Sequence, residues 1–350
     1  MTSRLYACRP GRERVLADEL ARVLPASRHE VHGTGWVESR LASGDAAASP
    51  CLAFAAQCLP DPEPIQAPSV SATAQAAAQL VMERLSGHEG PWRFHVFCVE
   101  TPGSTVRASR CGLVEKQVLD ALRRRQKRLV ATRVVVSARP WERDEILVQV
   151  ALVEPRLAFF SVAGSAERER LKGCMSRFPG GVVEVSEDRA PPSRAYRKLL
   201  EVELRLGRRI SSGETCVDLG ASPGGWTHVA LGRGARVIAV DRSPLRADLM
   251  AHPHLTFVRG DGFSFEPEDK PVDWLLSDII AFPVRTIGLL ERWLAKRWCR
   301  CFCVTIKFRG QDDYPELERL KAILVASGAD FQLRELTNNK NEVTAFGELG

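Results

Sequence analysis

The stretch Cys216-Val-Asp-Leu-Gly-Ala-Ser-Pro-Gly-Gly-Trp226 limits what this chain can fold into more than any other. A short apolar run ends at Leu219, glycines follow at 220, 224 and 225, and a helical pattern opens at Trp226. A strand, a glycine-rich turn and a helix in that order begin a βαβ unit. Glycines at such a turn let the backbone approach a ligand closely, and the helix N-terminus favours a carboxylate or phosphate. Neither G-x-G-x-x-G nor G-x-x-x-x-G-K-[ST] is present, which weakens nicotinamide-dinucleotide and P-loop readings.

From Ser193 onward, strand-like and helix-like stretches alternate. Cys216–Leu219, Trp226–Leu231 and Arg236–Val240 make the first βαβ unit, and strands follow at Leu255–Val258, Trp274–Ser277 and Phe302–Ile306. The pattern predicts an α/β fold, Rossmann-like, with an open and mostly parallel sheet covered by helices on both faces. Phe331–Leu336 and Glu342–Phe346, separated by a polar turn, read as a terminal antiparallel hairpin. A reversed last strand suits methyltransferases that use S-adenosylmethionine (SAM) better than dehydrogenases.

Ligands of such sheets bind outside the carboxyl ends of the strands. Asp218, Asp241 and Asp261 fall at three successive strand ends. Each alone reads as a helix cap or loop residue. Together they suit SAM, with Asp218 accepting from its amine, Asp241 from its ribose hydroxyls, and Asp261 near its adenine edge. The loop residues Gly220, Ser222, Pro223, Gly224, Gly225 and Trp226 would line the cofactor, with Asp278 beside them.

A second set of polar residues converges on the same crevice. Lys198 precedes the first strand of the sheet, Asp278 ends the fourth, Lys307 ends the fifth and Glu342 begins the reversed strand. The bland reading of each is a solvated side chain or a cap. Lys307, however, directly follows the apolar run Cys303-Val-Thr-Ile306, where burial requires a partner. The chemistry suits 2′-O-methylation, because a ribose hydroxyl is a very weak acid and needs a proton acceptor as it attacks. A neutral Lys307 fills that role if a second cation, Lys198, disfavours its charged form. Asp278 and Glu342 would orient the two amines, and no metal is required.

The 350 residues allow two or three domains. Ser3–Cys8 as a strand, Gly11–Val23 as a helix and Val31–Leu41 as β structure suggest a small α+β unit over residues 1–65. Ala46–Pro50 and Leu59–Pro68 read as loops or linkers. A second α+β unit, residues 66–165, has helices at Ala74–Leu85 and Gly112–Leu129. Its strands are Trp92–Val99, Ile146–Val153 and Arg156–Val162. Residues 166–192 read as a linker, and 193–350 as the α/β domain. The run Arg123-Arg-Arg-Gln-Lys-Arg128 and the region Arg168–Arg177 concentrate positive charge, as a solvated helix face or as phosphate contacts.

A net charge of +6 is weak support for a polyanionic partner. No apolar run is long enough to span a bilayer, and the first residues lack a secretion signal, so the expectation is a cytoplasmic protein. None of the ten cysteines forms a C-x-x-C pair. Cys299, Cys301 and Cys303 fall on one strand face, and buried small side chains account for them better than a metal site.

The lysine–aspartate–lysine–glutamate set and the glycine loop resemble the FtsJ/RrmJ-type ribose 2′-O-methyltransferases. The chain is most similar to the bacterial RlmM family within them. The resemblance runs through Pro192-Ser-Arg-Ala-Tyr-Arg-Lys198, the 218–227 loop, Asp261-Gly-Phe263, Asp278 with Pro283, and Glu342-Val-Thr344, with Cys8-Arg-Pro-Gly11 near the N-terminus. It implies a SAM-dependent enzyme acting on a cytidine of 23S ribosomal RNA, as a monomer, without DNA or membrane partners. It also implies a ferredoxin-like unit over 1–65 and a THUMP-like RNA-binding domain over 66–165. Ala195 stands where the family commonly has a cofactor-contacting serine, Leu200 replaces a glutamate, and Ser222 stands where cysteine is frequent. The alternatives are a SAM-dependent enzyme acting on transfer RNA or protein, and an RNA-binding protein with a vestigial active site.

Overall fold

The computed structural model describes residues 2–99, 106–135, 140–142, 144–310 and 314–350, without the side chains of 106–108. It divides into two compact units, Met1–Val182 and Val183–Gly350.

The first unit contains two four-stranded sheets. The elements β1 (Ser3–Ala7), α1 (Glu13–Val23), β2 (Arg28–Val31), β3 (Trp36–Arg40) and β4 (Gln57–Pro60) build one, in the order β2-β3-β1-β4. Helix α1 forms on Val15, Leu16 and Leu20, and its buried Glu19 accepts from the amides of Ala53 (2.8 Å) and Phe54 (3.2 Å). The second sheet has the order β5-β8-β7-β6. Its elements are β5 (Glu63–Gln66), α2 (Val70–Arg84), β6 (Trp92–Phe97), α3 (Val106–Arg125), α4 (Lys127–Ala131), β7 (Ile146–Glu154) and β8 (Leu157–Ala163). Ser69 caps α2 by accepting from Ala72 N. The sheets share a core in which Leu5, Trp36 and Leu59 meet Phe97, Val153 and Phe159.

One expectation fails here. Leu59–Pro68 is not a loop: it supplies the end of β4 and all of β5. Proline lacks an amide to donate, which argues against a central strand but not an edge strand. Both β4 and β5 are edges, and Pro64 pairs with Phe159 in the β5–β8 ladder. Within 166–192, the part up to Val182 is folded into the first unit. Helix α5 (Ser165–Arg170) is followed by buried Leu171, Cys174, Met175 and Phe178, and Gln57 Oε1 accepts from Ser176 N at 2.9 Å.

The second unit is a doubly wound seven-stranded sheet. Its elements are α6 (Tyr196–Leu206), β9 (Thr215–Leu219), α7 (Gly225–Gly232), β10 (Arg236–Asp241), α8 (Ala247–Met250) and β11 (Leu255–Arg259). Then come β12 (Val272–Ser277), α9 (Pro283–Ala295), β13 (Cys299–Lys307), α10 (Glu316–Ala326), β14 (Asp330–Arg334) and β15 (Glu342–Glu348). The strand order is β11-β10-β9-β12-β13-β15-β14, and β15 alone is reversed against its neighbours. The alternating residues Cys216, Val237, Trp274, Leu276, Cys301 and Cys303 pack with Leu199 and Val202 of α6 and Val229 and Ala230 of α7. On α9, the side chains of Ile287, Leu290, Trp293 and Leu294 are buried, and this helix packs against β13. Burial on both faces explains why these strands read as nearly continuous apolar runs.

Cys299, Cys301 and Cys303 are all buried free thiols. Desolvation pushes the first two up to about 12 and raises the third, so they stay protonated and behave as small apolar side chains.

Candidate active site

Strand order reverses between β9 and β12, and the crevice opens at that switch point. It holds a cavity of about 510 Å³. The backbone turns out of β9 at Gly220, whose φ of +74° places it in the left-handed region. A Cβ there would strike the Ile279 side chain, so the position excludes larger residues twice over. Gly225 starts α7 against Ser193 Oγ, again with no room for a Cβ. The loop is tied down by Gly220 N donating to Val240 O (2.9 Å), Ser222 N to Asp241 Oδ2 (3.0 Å) and Ser222 Oγ to Pro244 O (3.0 Å). Trp226 Nε1 donates to Ala195 O at 2.7 Å and fixes the start of α6 beside the loop.

The structure brings the expected cofactor residues to this one cavity. Asp218, Gly220, Ser222, Pro223, Gly225 and Trp226 line it, as do Asp241, Asp261 and Asp278 at the ends of neighbouring strands. Gly224 does not line it; it sits behind the loop, backed by Leu245 and Leu249. The three aspartates differ in environment. Asp218 is 2% exposed and accepts from Thr227 Oγ1 at 2.7 Å. Burial, reinforced by the charges of Asp278 and Asp241, raises its carboxyl to about 7. Asp241 accepts from the amides of Ser222 and Ser243 (2.8 Å), so it holds the loop as well as facing the cavity. Asp261 accepts from Phe263 N and Arg242, both at 3.0 Å, and these keep its carboxyl below its ordinary range.

Lys198, Asp278, Lys307 and Glu342 also meet. Lys198 Nζ lies 3.0 and 3.1 Å from the two Asp278 oxygens and 2.6 Å from Glu342 Oε1. Lys307 Nζ lies 3.1 Å from Asp278 Oδ1 and donates to the Asp278 carbonyl at 2.7 Å. The carboxylate of Asp278 therefore bridges both amines. Two cations and two anions in one cluster balance, which allows such burial. The four residues are not equivalent: Asp278 and Lys307 line the cavity, while Lys198 and Glu342 stand behind them. Their side chains are 17% and 21% exposed against 8% and 10%.

Sequence reasoning missed several parts. It assigned no helix to residues 196–206, although α6 is what presents Lys198. It also missed Arg242, Ile279, Ile280 and Arg285, which line the cavity with Phe263. The Arg285 guanidinium lies 4.0 Å over the Phe263 ring and 3.9 Å from Asp261. Arginines in a helix-rich segment give no local signal of that convergence.

Residues 191–310 match the family model described as FtsJ-like methyltransferase. The chain is 33% identical over 218 residues to "Ribosomal RNA large subunit methyltransferase M" of Marinomonas sp. (strain MWYL1), covering 58% of this chain and 62% of that protein. It is 37% identical to the protein of the same name from Stutzerimonas stutzeri (strain A1501), covering 48% and 51%, and 36% identical to that of Laribacter hongkongensis (strain HLHK9), covering 48% and 51%. The match thus spans about half to under two thirds of these relatives. They bear out the resemblance to the RlmM family. Over residues 191–310, about a third of its length, this chain is thus similar to the FtsJ-like methyltransferases.

Proposed function

We propose that the protein is a SAM-dependent ribose 2′-O-methyltransferase acting on large-subunit (23S) ribosomal RNA, with Lys307 as the proton acceptor. The observation that carries this reading is the linked Lys198–Asp278–Lys307–Glu342 cluster, which opens on the loop cavity only through Asp278 and Lys307. A ribose 2′-hydroxyl is absent from DNA, which makes RNA the acceptor.

The cavity suits SAM. Gly220 and Gly225 keep its floor at backbone level, and the buried carboxyl of Asp218 can accept from a cationic amine, whose charge would favour its ionised form. Asp241 retains acceptor capacity for a ribose hydroxyl pair beyond its two amide bonds. Asp261 and Phe263 suit the adenine end. When bound, SAM supplies an electrophilic methyl group on a sulfonium. The chain's own contribution is to orient a hydroxyl and take its proton. Lys198 is held between Asp278 and Glu342 and in turn holds the Asp278 carboxylate in place. Asp278 aims Lys307 through both its carboxylate and its carbonyl. The ring of contacts around Lys198 removes freedom before the hydroxyl arrives.

The first unit fits an RNA-binding role. Its β2-β3-β1-β4 sheet with α1 suits a ferredoxin-like unit over 1–65, followed by a THUMP-like domain over 66–165 and the catalytic domain over 193–350. The run Arg123–Arg128 at the end of α3 is exposed and suits phosphate contact. Among the described residues no helix is long and apolar enough to cross a membrane. We place the protein in the cytoplasm, acting as a monomer because one chain supplies all four residues of the cluster. The test is ribose-methylation mapping of ribosomal RNA from cells with and without this protein. Loss of one 2′-O-methyl site in the large-subunit RNA supports the reading; an unchanged ribose pattern with a lost base, transfer-RNA or protein methyl group refutes it.

A further inference from the structure

Strands β12 and β13 run parallel and leave the sheet side by side, with Ser277 registered against Val304. At their ends Asp278, just past β12, meets Lys307, the last residue of β13. Two residues beyond the end of β13 comes Arg309, whose guanidinium carbon lies 3.6 Å over the ring of Phe282. The same two extensions thus carry the reacting pair and, next to it, a cation laid on an aromatic ring.

The surroundings of that ring are unusual for a soluble surface. Ile280 is 89% exposed, Phe282 49% and Val284 49%. Isolated exposed apolar residues need no explanation, but Ile280 and Phe282 both lie on the short connection from β12 to α9 that carries Asp278. Ile280 also lines the cavity with Asp278 and Lys307, so this connection reaches into it. A flat, exposed aromatic with a guanidinium on one face matches a molecule that presents a π-face and a negative charge together. A nucleotide does so: its base stacks on aromatic and guanidinium planes while its phosphate answers the arginine. A base within a duplex is stacked on both faces, so the occupant is unpaired.

We infer that Phe282, Ile280 and Arg309 form a stacking platform that holds an unpaired nucleobase of the acceptor RNA beside the Asp278–Lys307 pair. This rests on the ribose-methylation reading and adds to it how the acceptor is recognised.

The experiment uses the full chain and large-subunit RNA from cells lacking this protein. Initial rates are measured with radiolabelled SAM, and S-adenosylhomocysteine binding is measured by calorimetry. Phe282→Ala and Phe282→Leu are expected to raise KM for RNA about tenfold, and Phe282→Trp to stay within about twofold of wild type. S-adenosylhomocysteine affinity is expected to be unchanged in all three. Should Phe282→Ala also lose that affinity, Arg309→Ala, on an exposed side chain, decides by the same readout. An unchanged KM for RNA in Phe282→Leu or in Arg309→Ala overturns the platform and leaves the ribose reading intact. A wild-type protein that methylates no ribose overturns both.

Discussion

Lys307 and Glu342 face each other across the antiparallel β13–β15 pairing, yet their charges go to different partners. Glu342 Oε1 lies 2.6 Å from Lys198, while Lys307 turns to Asp278 at 3.1 Å. The cross-strand neighbours therefore act in series: Glu342 holds Lys198, Lys198 holds Asp278, and Asp278 holds Lys307. This separates a supporting half of the cluster from a reacting half.

Glu342→Gln tests the supporting half. The amide keeps the shape but leaves Lys198 to Asp278 alone, which draws that carboxylate away from Lys307. We expect kcat to fall roughly tenfold or more, with the KM values for RNA and SAM little changed. A rise in KM with kcat intact would mean that Glu342 serves binding instead.

Glu201 supports the same geometry from behind. Fully buried, it accepts from Arg205 Nε (2.9 Å) and Nη2 (2.8 Å) and from Thr337 N (2.9 Å). It thereby ties the helix bearing Lys198 to the turn that leads into Glu342. Glu201→Ala strands a buried arginine and is expected to destabilise the second unit by about 3–5 kcal/mol, a fall in Tm of roughly 6–20 °C by calorimetry. A Tm within a degree or two of wild type would show that the tie is dispensable.

Asp218 predicts a pH dependence. Its folded-state value of about 7 lies above the ordinary carboxylate value, so the protonated form is the one the fold favours. Its stabilising contribution is complete below about pH 4 and is lost as pH rises through 7, about 4 kcal/mol in all. Asp218→Asn removes this loss, so the cofactor-free variant is expected to overtake wild type in stability between pH 5 and 8. Parallel stability curves for the two proteins across that range would contradict the assignment.

The sequence made most of the α/β domain legible because its strands are buried on both faces and its chemistry falls at strand ends. Asp218, Asp241, Asp278 and Lys307 each close an apolar run, and the reversed direction of β15 brought Glu342 to the same edge. Helix α6 escaped although Tyr196, Leu199 and Val202 recur at helical spacing on its buried side; Lys198, Glu201, Glu203 and Arg205 are buried among them, each paired with an opposite charge. Charged residues interleaved on an inward face obscure the hydrophobic period that announces a helix. The prolines that hid β4 and β5 misled for a different reason, since edge strands tolerate what central strands do not. Arg285 and Arg309 came into view only with contacts over Phe263 and Phe282 that no spacing encodes.

The central claim is that Lys307 takes the proton from a ribose hydroxyl, and the most direct measurement is methyl transfer from labelled SAM to RNA by Lys307→Ala. Lys307 sits at the cavity edge and does not hold the loop, so S-adenosylhomocysteine is expected to bind the variant as it binds wild type. Loss of a general base predicts a fall in kcat of about 100-fold to 10,000-fold with that binding intact. Full activity in Lys307→Ala, with the methyl group still placed on a ribose oxygen, would contradict the account.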